Sequence, residues 1–328
     1  MGQSRLRVTR ESFEDLTQYW CYPRNSLKWN CLFTLPPWLE TWWRAFGSTG
    51  ELHLVAIRDG EDMLGIAPLL RIGQRVCFIG SNDVCDYSDF IVHEGREVDF
   101  FSFLLDYLRE ERTEELALTS LRPDSKTLLH LPDVARARGY RVSWEPEETF
   151  LELHLPSTWD TYLAGLHQKQ RHEVRRKLRR IQESGKPEFR ILDDPESVSD
   201  GMKIFLHMFR ESRGDKAAFM SQQRESFFCS LAEAMARVRL VKLGMLELKG
   251  TPIAAVLFFD YDNVVYLYNS GYHPSYRFLS AGLVSKVLCI KDSIERGRAT
   301  FDFLKGDENY KYHLGGKAVP LYRCNVLL

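Results

Sequence analysis

The chain has 328 residues, 44% hydrophobic and 12% aromatic, with a formal net charge of −1. That is the composition of a soluble globular protein of about two domains and not of a disordered one. No apolar run approaches the ~20 residues of a transmembrane helix, and no apolar leader opens the sequence, so we expect a cytoplasmic location. Seven scattered cysteines without a Cys-x-x-Cys pair predict neither a disulfide framework nor a bound metal.

The first half alternates between helical and strand patterns. Residues 35–46 predict a helix that begins at paired prolines, and residues 52–58 and 63–72 predict a strand pair around Asp59-Gly60. A polar loop follows, in which Asp86 and Tyr87 are candidate substrate-binding residues. The spacing of its aspartates does not fit a calcium loop.

After residue 155 the alternation begins again. The segments 57–70 and 246–259 each have a strand, a glycine turn and an apolar strand, which favours a duplicated unit. We therefore predict an α/β (α+β) protein of two domains, residues 1–155 and 156–328, each with a mixed, mostly antiparallel sheet flanked by helices.

A strongly basic helix is predicted near the start of the second half. Residues 168–180 carry seven Lys or Arg against one Glu, while Val174, Leu178 and Ile181 form an apolar stripe. Such a helix can bind a nucleotide-linked acceptor, an acidic carrier protein, a tRNA or a membrane surface, or it can be a solvated surface helix. We expect no DNA partner. Its candidate binding residues are Lys169, Arg171, Arg175 and Arg176.

The segment 266–283 predicts a strand, a polar loop and the start of an apolar helix. Ser280 is a good N-cap residue, and a helix N-terminus with small residues binds phosphate readily. The candidate donor-binding residues are Arg277, Ser280, Ala281, Gly282 and Leu283, with Tyr272 as a substrate contact. An ordinary capped helix is the alternative.

The segment 301–317 predicts a strand that ends in a charged, glycine-containing loop. Transfer of an acyl group from a thioester to an amine needs a base for the ammonium proton and a donor for the developing oxyanion. Asp307 or Glu308 can act as the base, while Lys311 or His313 can act as the donor or hold an anion. A solvated loop is the alternative.

An ordered series of motifs resembles a known family. The series comprises PPWLETWW (36–43), GIAPLL (65–70), FIGSNDVCDYSDFIV (78–92), the basic segment 168–180, SGYHPSYRFLSAGL (270–283) and FDFLKGDENYKYHLGG (301–316). It runs over nearly the whole chain and is similar to the CelD/BcsL-like GNAT acyltransferases of bacterial polysaccharide gene clusters, which are related to Fem-type aminoacyltransferases.

The resemblance implies two tandem GNAT-like folds, with the acyl-donor groove in the second. Tyr310 and Lys311 match the Tyr-Lys pair of the last motif, whereas His313 stands where a Lys or Arg is expected. Ser280 replaces the middle glycine of the general pyrophosphate motif, Arg/Gln-x-x-Gly-x-Gly/Ala, between Arg277 and Gly282.

Three hypotheses follow for the function. The first is an N-acyltransferase that moves an acyl group from acyl-CoA, most simply acetyl-CoA, to an amine of an amino sugar or of a cell-envelope or polysaccharide precursor. The second, implied by the Fem-type relation, is an aminoacyl-tRNA-dependent transferase. The third is a non-catalytic GNAT-fold scaffold in polysaccharide assembly.

Overall fold

The computed structural model describes residues 6–22, 27–80, 83–212 and 214–328, without the side chain of residue 215. The chain forms two compact units: unit 1 comprises residues 1–148 and 320–328, and unit 2 comprises residues 149–319. None of the helices in the described part of the chain is long and apolar enough to cross a membrane.

Helices and strands alternate along the described chain. The helices are α1 (Phe13–Cys21), α2 (Pro36–Phe46), α3 (Glu97–Glu110), α4 (Lys126–Ala137), α5 (Trp159–Gly165), α6 (Gln168–Glu183), α7 (Pro195–Ser212), α8 (Gly214–Phe219), α9 (Gln222–Arg237), α10 (Ala281–Glu295) and α11 (Asn309–His313). The strands are β1 (Leu6–Arg10), β2 (Glu51–Asp59), β3 (Asp62–Ile72), β4 (Arg75–Phe78), β5 (Ile91–Val92), β6 (Glu115–Leu121), β7 (Arg141–His154), β8 (Pro187–Leu192), β9 (Val241–Leu248), β10 (Thr251–Tyr261), β11 (Val264–Tyr272), β12 (Thr300–Lys305) and β13 (Lys317–Leu327).

Unit 1 is built around an antiparallel run of strands that ends in one parallel pair. β1 pairs with β2, β2 with β3, and β3 with β4, all antiparallel, and β4 then lies parallel to β6. The turn between β2 and β3 contains Gly60 at φ 63°, a conformation that glycine adopts without strain. Phe100, Phe101 and Leu104 of α3 are fully buried in the core of this unit.

Unit 2 repeats this order of elements. β8, β9, β10 and β11 pair antiparallel in sequence, and β12 lies parallel to β11. α10 is the helix that connects these two parallel strands, and its residues Val287 and Ile290 are buried in the core with Phe301 and Phe303 of β12. The predicted fold class, a mixed and mostly antiparallel arrangement of strands flanked by helices in each half, is confirmed.

The structural units differ from the predicted domains at the end of the chain. The prediction kept residues 156–328 together, whereas residues 320–328 belong to unit 1. The reason is that β13 pairs antiparallel with β6, and that Cys324 and Val326 are buried in the core of unit 1. Hydropathy patterns predict that a segment is a strand but do not reveal which strand it pairs with.

Candidate functional site

The parallel strands β11 and β12 of unit 2 separate towards their carboxyl ends. Their pairing runs from Val264 opposite Thr300 to Tyr266 opposite Asp302. Beyond this point β11 continues in pairing with β10, and β12 continues in pairing with β7. A gap therefore opens between the carboxyl ends of two parallel strands, which is where α/β sheets bind ligands.

The first turn of α10 lies at the end of the connection from β11. Ser280 is the N-cap residue, as predicted, but its backbone is left-handed (φ 56°, ψ 36°) and its side chain makes no capping hydrogen bond. The N–H groups of Ser280 and Leu283 donate to backbone carbonyls. For the described residues, the structure shows no acceptor for the N–H groups of Ala281 and Gly282, so these two groups are available to an anion.

Gly282 packs closely against Tyr272. A Cβ atom at this position would lie 2.9 Å from Cδ1 of Tyr272, so a side chain here would force the ring or the turn to shift. Arg277 is exposed in the preceding 3-10 turn, Pro274–Leu279. A tight helix start with two free N–H groups and a nearby cation fits the phosphates of a nucleotide-type donor.

The loop between β12 and α11 is held together by one buried lysine. The ammonium of Lys311, whose side chain is 2% exposed, donates to the carbonyls of Leu304, Lys305 and Gly306 and lies 2.9 Å from a carboxylate oxygen of Glu308. An ammonium has three hydrogens, so these four acceptors use all of them. In the structure Lys311 therefore fixes the shape of this loop, in which Leu304 has a φ of 60°.

The other charged residues predicted for this loop are exposed. Asp307, Glu308 and His313 all lie at the surface of unit 2. Glu308 is half exposed and paired with Lys311, which limits its freedom to move a proton.

A second buried lysine, which the sequence analysis missed, lies on α10. Nζ of Lys286 donates to the carbonyl of Gly282 at 2.8 Å and lies 5.0 Å from the ring centroid of Tyr310. Burial lowers the pKa of Lys286 from 10.5 to about 7, with the positive charge of Lys216 acting in the same direction and Glu308 opposing it. The only sequence signal was one cation within the apolar run from Leu283 to Ile290.

The basic helix α6 packs beside the first turn of α10. Its predicted apolar stripe is present, since Ile181 shares a buried cluster with Leu279, Ala281 and Val284. In addition, Nη1 of Arg180 donates to the carbonyl of Phe278 at 2.9 Å. The carboxyl end of α6, with Arg180, therefore adjoins the turn that the sequence predicts to bind a donor.

The four candidate side chains on α6 differ in whether they already have a partner within the protein. Arg176 forms a two-point contact with Glu173, at 3.0 and 2.7 Å, and Arg171 donates to the carbonyl of Ala164 at 3.2 Å. Lys169 and Arg175 are exposed, and their side chains have no ionic partner among the described residues. These two are therefore the side chains most available to an anionic partner.

Asp86 and Tyr87 belong to unit 1. Tyr87 is 3% exposed and packs edge-on against Phe33, with the guanidinium of Arg122 5.2 Å from its ring centroid. The neighbouring Asp89 accepts hydrogen bonds from the first turn of α4. Residues 81 and 82 of the motif 78–92 lie outside the described residues. No group of three or more His, Cys, Asp or Glu in the described ranges is placed to hold a metal ion.

Comparison with known protein families finds a match within the second unit. Residues 168–312 match the acetyltransferase (GNAT) domain family. No curated protein sequence matches the chain significantly.

Solved structures share the fold over nearly the whole chain. The structure of FemX superposes with a TM-score of 0.67 at 12% identity, over 98% of this chain and 97% of FemX. A conserved protein of unknown function from Bacteroides thetaiotaomicron gives a TM-score of 0.60 at 10% identity, over 98% of this chain and 100% of that one. At these identities the likeness concerns the fold.

Proposed function

We propose that this protein is an N-acyltransferase that moves an acyl group from acyl-CoA, most simply acetyl-CoA, to an amine. The match of residues 168–312 to the GNAT acetyltransferase family supports this proposal. The observation that carries the proposal is the gap between β11 and β12. It is bordered on one side by a helix start with free N–H groups and on the other by a rigid charged loop.

In this proposal the first turn of α10 binds the donor. The N–H groups of Ala281 and Gly282 hold a phosphate, Arg277 adds a positive charge, and Ser280 and Leu283 shape the turn. The acyl-bearing end of the donor then lies in the gap between the two strands.

The acceptor amine approaches from the side of the β12–α11 loop. Lys311 keeps this loop in one shape, and Glu308, Asp307 and His313 present polar groups at the surface where the acceptor enters. Tyr310 and Tyr272 provide aromatic walls. Lys169 and Arg175 on α6 bind an anionic part of the acceptor, and an amino sugar linked to a nucleotide or lipid phosphate has that chemistry.

The experiment that tests the proposal is thermal unfolding in the presence of candidate donors. A ligand that binds only the folded state at 100 times its Kd stabilises the protein by about 2.7 kcal/mol. We expect acetyl-CoA or a longer acyl-CoA to raise the Tm and bulk tRNA to have no effect. If no CoA compound changes the Tm at millimolar concentration, the donor assignment is wrong.

Substitution of Gly282 tests the position of the donor. In Gly282→Val the new Cβ would collide with the ring of Tyr272, so the first turn of α10 or this ring, which both border the donor site in this proposal, must shift. We expect the Kd for the donor, measured by calorimetry, to rise at least about 10-fold, since one lost charge-assisted hydrogen bond is worth roughly 1.5–3 kcal/mol.

The matched control is Gly165→Ala at the exposed end of α5, where a Cβ would have no heavy atom within 4 Å. This variant should bind the donor as the wild type does. Unchanged donor affinity in a folded Gly282→Val would place the donor elsewhere.

A second candidate function is supported by the fold shared with FemX and by the free cations of α6. In this alternative the donor is an aminoacyl-tRNA, whose phosphates contact Lys169 and Arg175. Binding of tRNA would weaken steeply with rising salt, because each neutralised phosphate releases counterions. Replacing both residues with Glu should then abolish tRNA binding at low salt, and tRNA binding that survives the change would exclude this role of α6.

A further inference from the structure

Lys286 lies between the first turn of α10 and Tyr310 of α11. Its Nζ donates to the carbonyl of Gly282 at 2.8 Å and lies 5.0 Å from the ring centroid of Tyr310. Two other ammonium groups, those of Lys216 and Lys311, act on its charge. Lys216 of α8 donates to the carbonyl of Ser270 near the end of β11, and Lys311 donates to the carbonyl of Leu304 at the end of β12.

The hydrogen-bonding capacity of Lys286 is only partly used. Its side chain is 9% exposed, and among the described residues its ammonium has one acceptor, the carbonyl of Gly282, besides the ring face of Tyr310. A protonated ammonium needs three acceptors, whereas a neutral amine can donate to Gly282 and still offer a lone pair. Burial without acceptors favours the neutral form.

The charges around Lys286 act in both directions: Lys216 and Lys311 favour its neutral form, and Glu308 opposes them. The groups that face it are Lys216 of α8, Glu308 of the β12–α11 loop, Lys311 and Tyr310 of α11, and Cys289 one turn along its own helix. Lys311 and Glu308 already neutralise each other at 2.9 Å. The charge with the largest effect on Lys286 is that of Lys216, which repels a second ammonium.

We propose that the neutral amine of Lys286 accepts the proton of the acceptor's ammonium in the acyl transfer, in place of Asp307 or Glu308. The inference rests on the proposed N-acyltransferase function and assigns a residue to its proton transfer. An acceptor amine reaches the enzyme mostly protonated, so it needs a base within the buried site before it can react.

Lys286 takes one proton from the ammonium of the acceptor, and the freed nitrogen lone pair forms a C–N bond to the carbonyl carbon of the thioester. The C–S bond breaks, and the departing thiolate takes the second proton from that nitrogen to become a thiol. Lys286 then releases its proton to water, and no oxidant, reductant or metal is required.

The Lys286→Arg variant distinguishes a role of Lys286 as a base from a role as a cation that binds an anion. Arginine keeps the positive charge but does not lose its proton in proteins, so it can hold an anion but cannot act as a base. We expect kcat to fall at least about 100-fold, with the KM for the donor within a few-fold of the wild type. The wild-type pH–rate profile should rise to a plateau with an inflection near pH 7, and this inflection should disappear in the variant.

The matched control is Lys291→Arg, further along the same helix, where the lysine is half exposed and paired with Glu295. It should keep both the rate and the pH profile. If Lys286→Arg keeps its rate within a few-fold and an unchanged profile, Lys286 is not the base.

The titration of Lys286 can also be measured directly, without enzyme turnover. In protein labelled with ¹³C at Cε of lysine, the resonance that is missing from Lys286→Arg should titrate near pH 7. A midpoint above pH 9 would overturn the proposal, whatever the activity. The wild type could also show a titration midpoint near pH 7 for Lys286 and yet transfer no acyl group from any acyl-CoA. That result would count against the proposed function.

Discussion

Lys311→Met is expected to destabilise unit 2 by about 3–5 kcal/mol. The substitution removes the ammonium that satisfies three backbone carbonyls and the carboxylate of Glu308, and the side chain is almost fully buried. Leaving a buried carbonyl without a donor costs about 1–3 kcal/mol, because the carbonyl loses its partner without regaining water, and three carbonyls are affected here. In thermal unfolding we expect the Tm to fall by roughly 10 °C.

The control for this prediction is Lys317→Met at an exposed position on β13. Its Tm should stay within about 2 °C of the wild type, since surface substitutions rarely exceed about 0.5 kcal/mol. A Tm of Lys311→Met close to that of the control would mean that the loop does not depend on this ammonium.

Lys286→Met is expected to change the dependence of stability on pH. The pKa of Lys286 is about 7 in the folded protein and 10.5 ordinarily, so between these values the unfolded chain binds a proton that the folded one does not. The free energy of unfolding of the wild type should therefore rise with pH across this window relative to the variant. At 1.36 kcal/mol per unit, the rise is at most about 5 kcal/mol.

Below pH 7 the lysine is charged in both states, and the variant should be more stable than the wild type by a constant amount. Denaturant unfolding at pH 6, 8 and 9.5 measures this difference. Lys291→Met, which removes an exposed lysine from the same helix, should follow the wild type at every pH. A difference between wild type and Lys286→Met that stays constant from pH 6 to 9.5 would show that Lys286 has its ordinary pKa.

The sequence predicted the elements well because local patterns determine them. The alternating strands and the glycine turn at Gly250 in the hairpin of β9 and β10, for example, depend on residues close together in the chain. The apolar stripe of α6 was also visible, since helical spacing alone defines which face is buried. The pairing of β13 with β6 could not be predicted, because about 200 residues separate the two strands.

The candidate site was predicted only in part. The turn at Gly282 and the loop before Lys311 were both candidates from the sequence. The hydrogen bonds from the Lys311 ammonium to three carbonyls were not visible there, and one of these carbonyls belongs to Leu304, whose left-handed backbone leucine rarely adopts. Lys286 was missed because a lone cation in an apolar helix has no distinctive spacing. Its environment comes from Lys216, Lys311 and Tyr310, which lie on other elements.

The central claim is that unit 2 binds an acyl-CoA at the start of α10, where β11 and β12 separate. The most direct measurement is amide hydrogen exchange with and without a saturating acyl-CoA. We expect slower exchange at Ala281 and Gly282, whose N–H groups would donate to the phosphates, and in residues 304–311. Unchanged exchange in both segments, in the presence of an acyl-CoA at millimolar concentration, would contradict it.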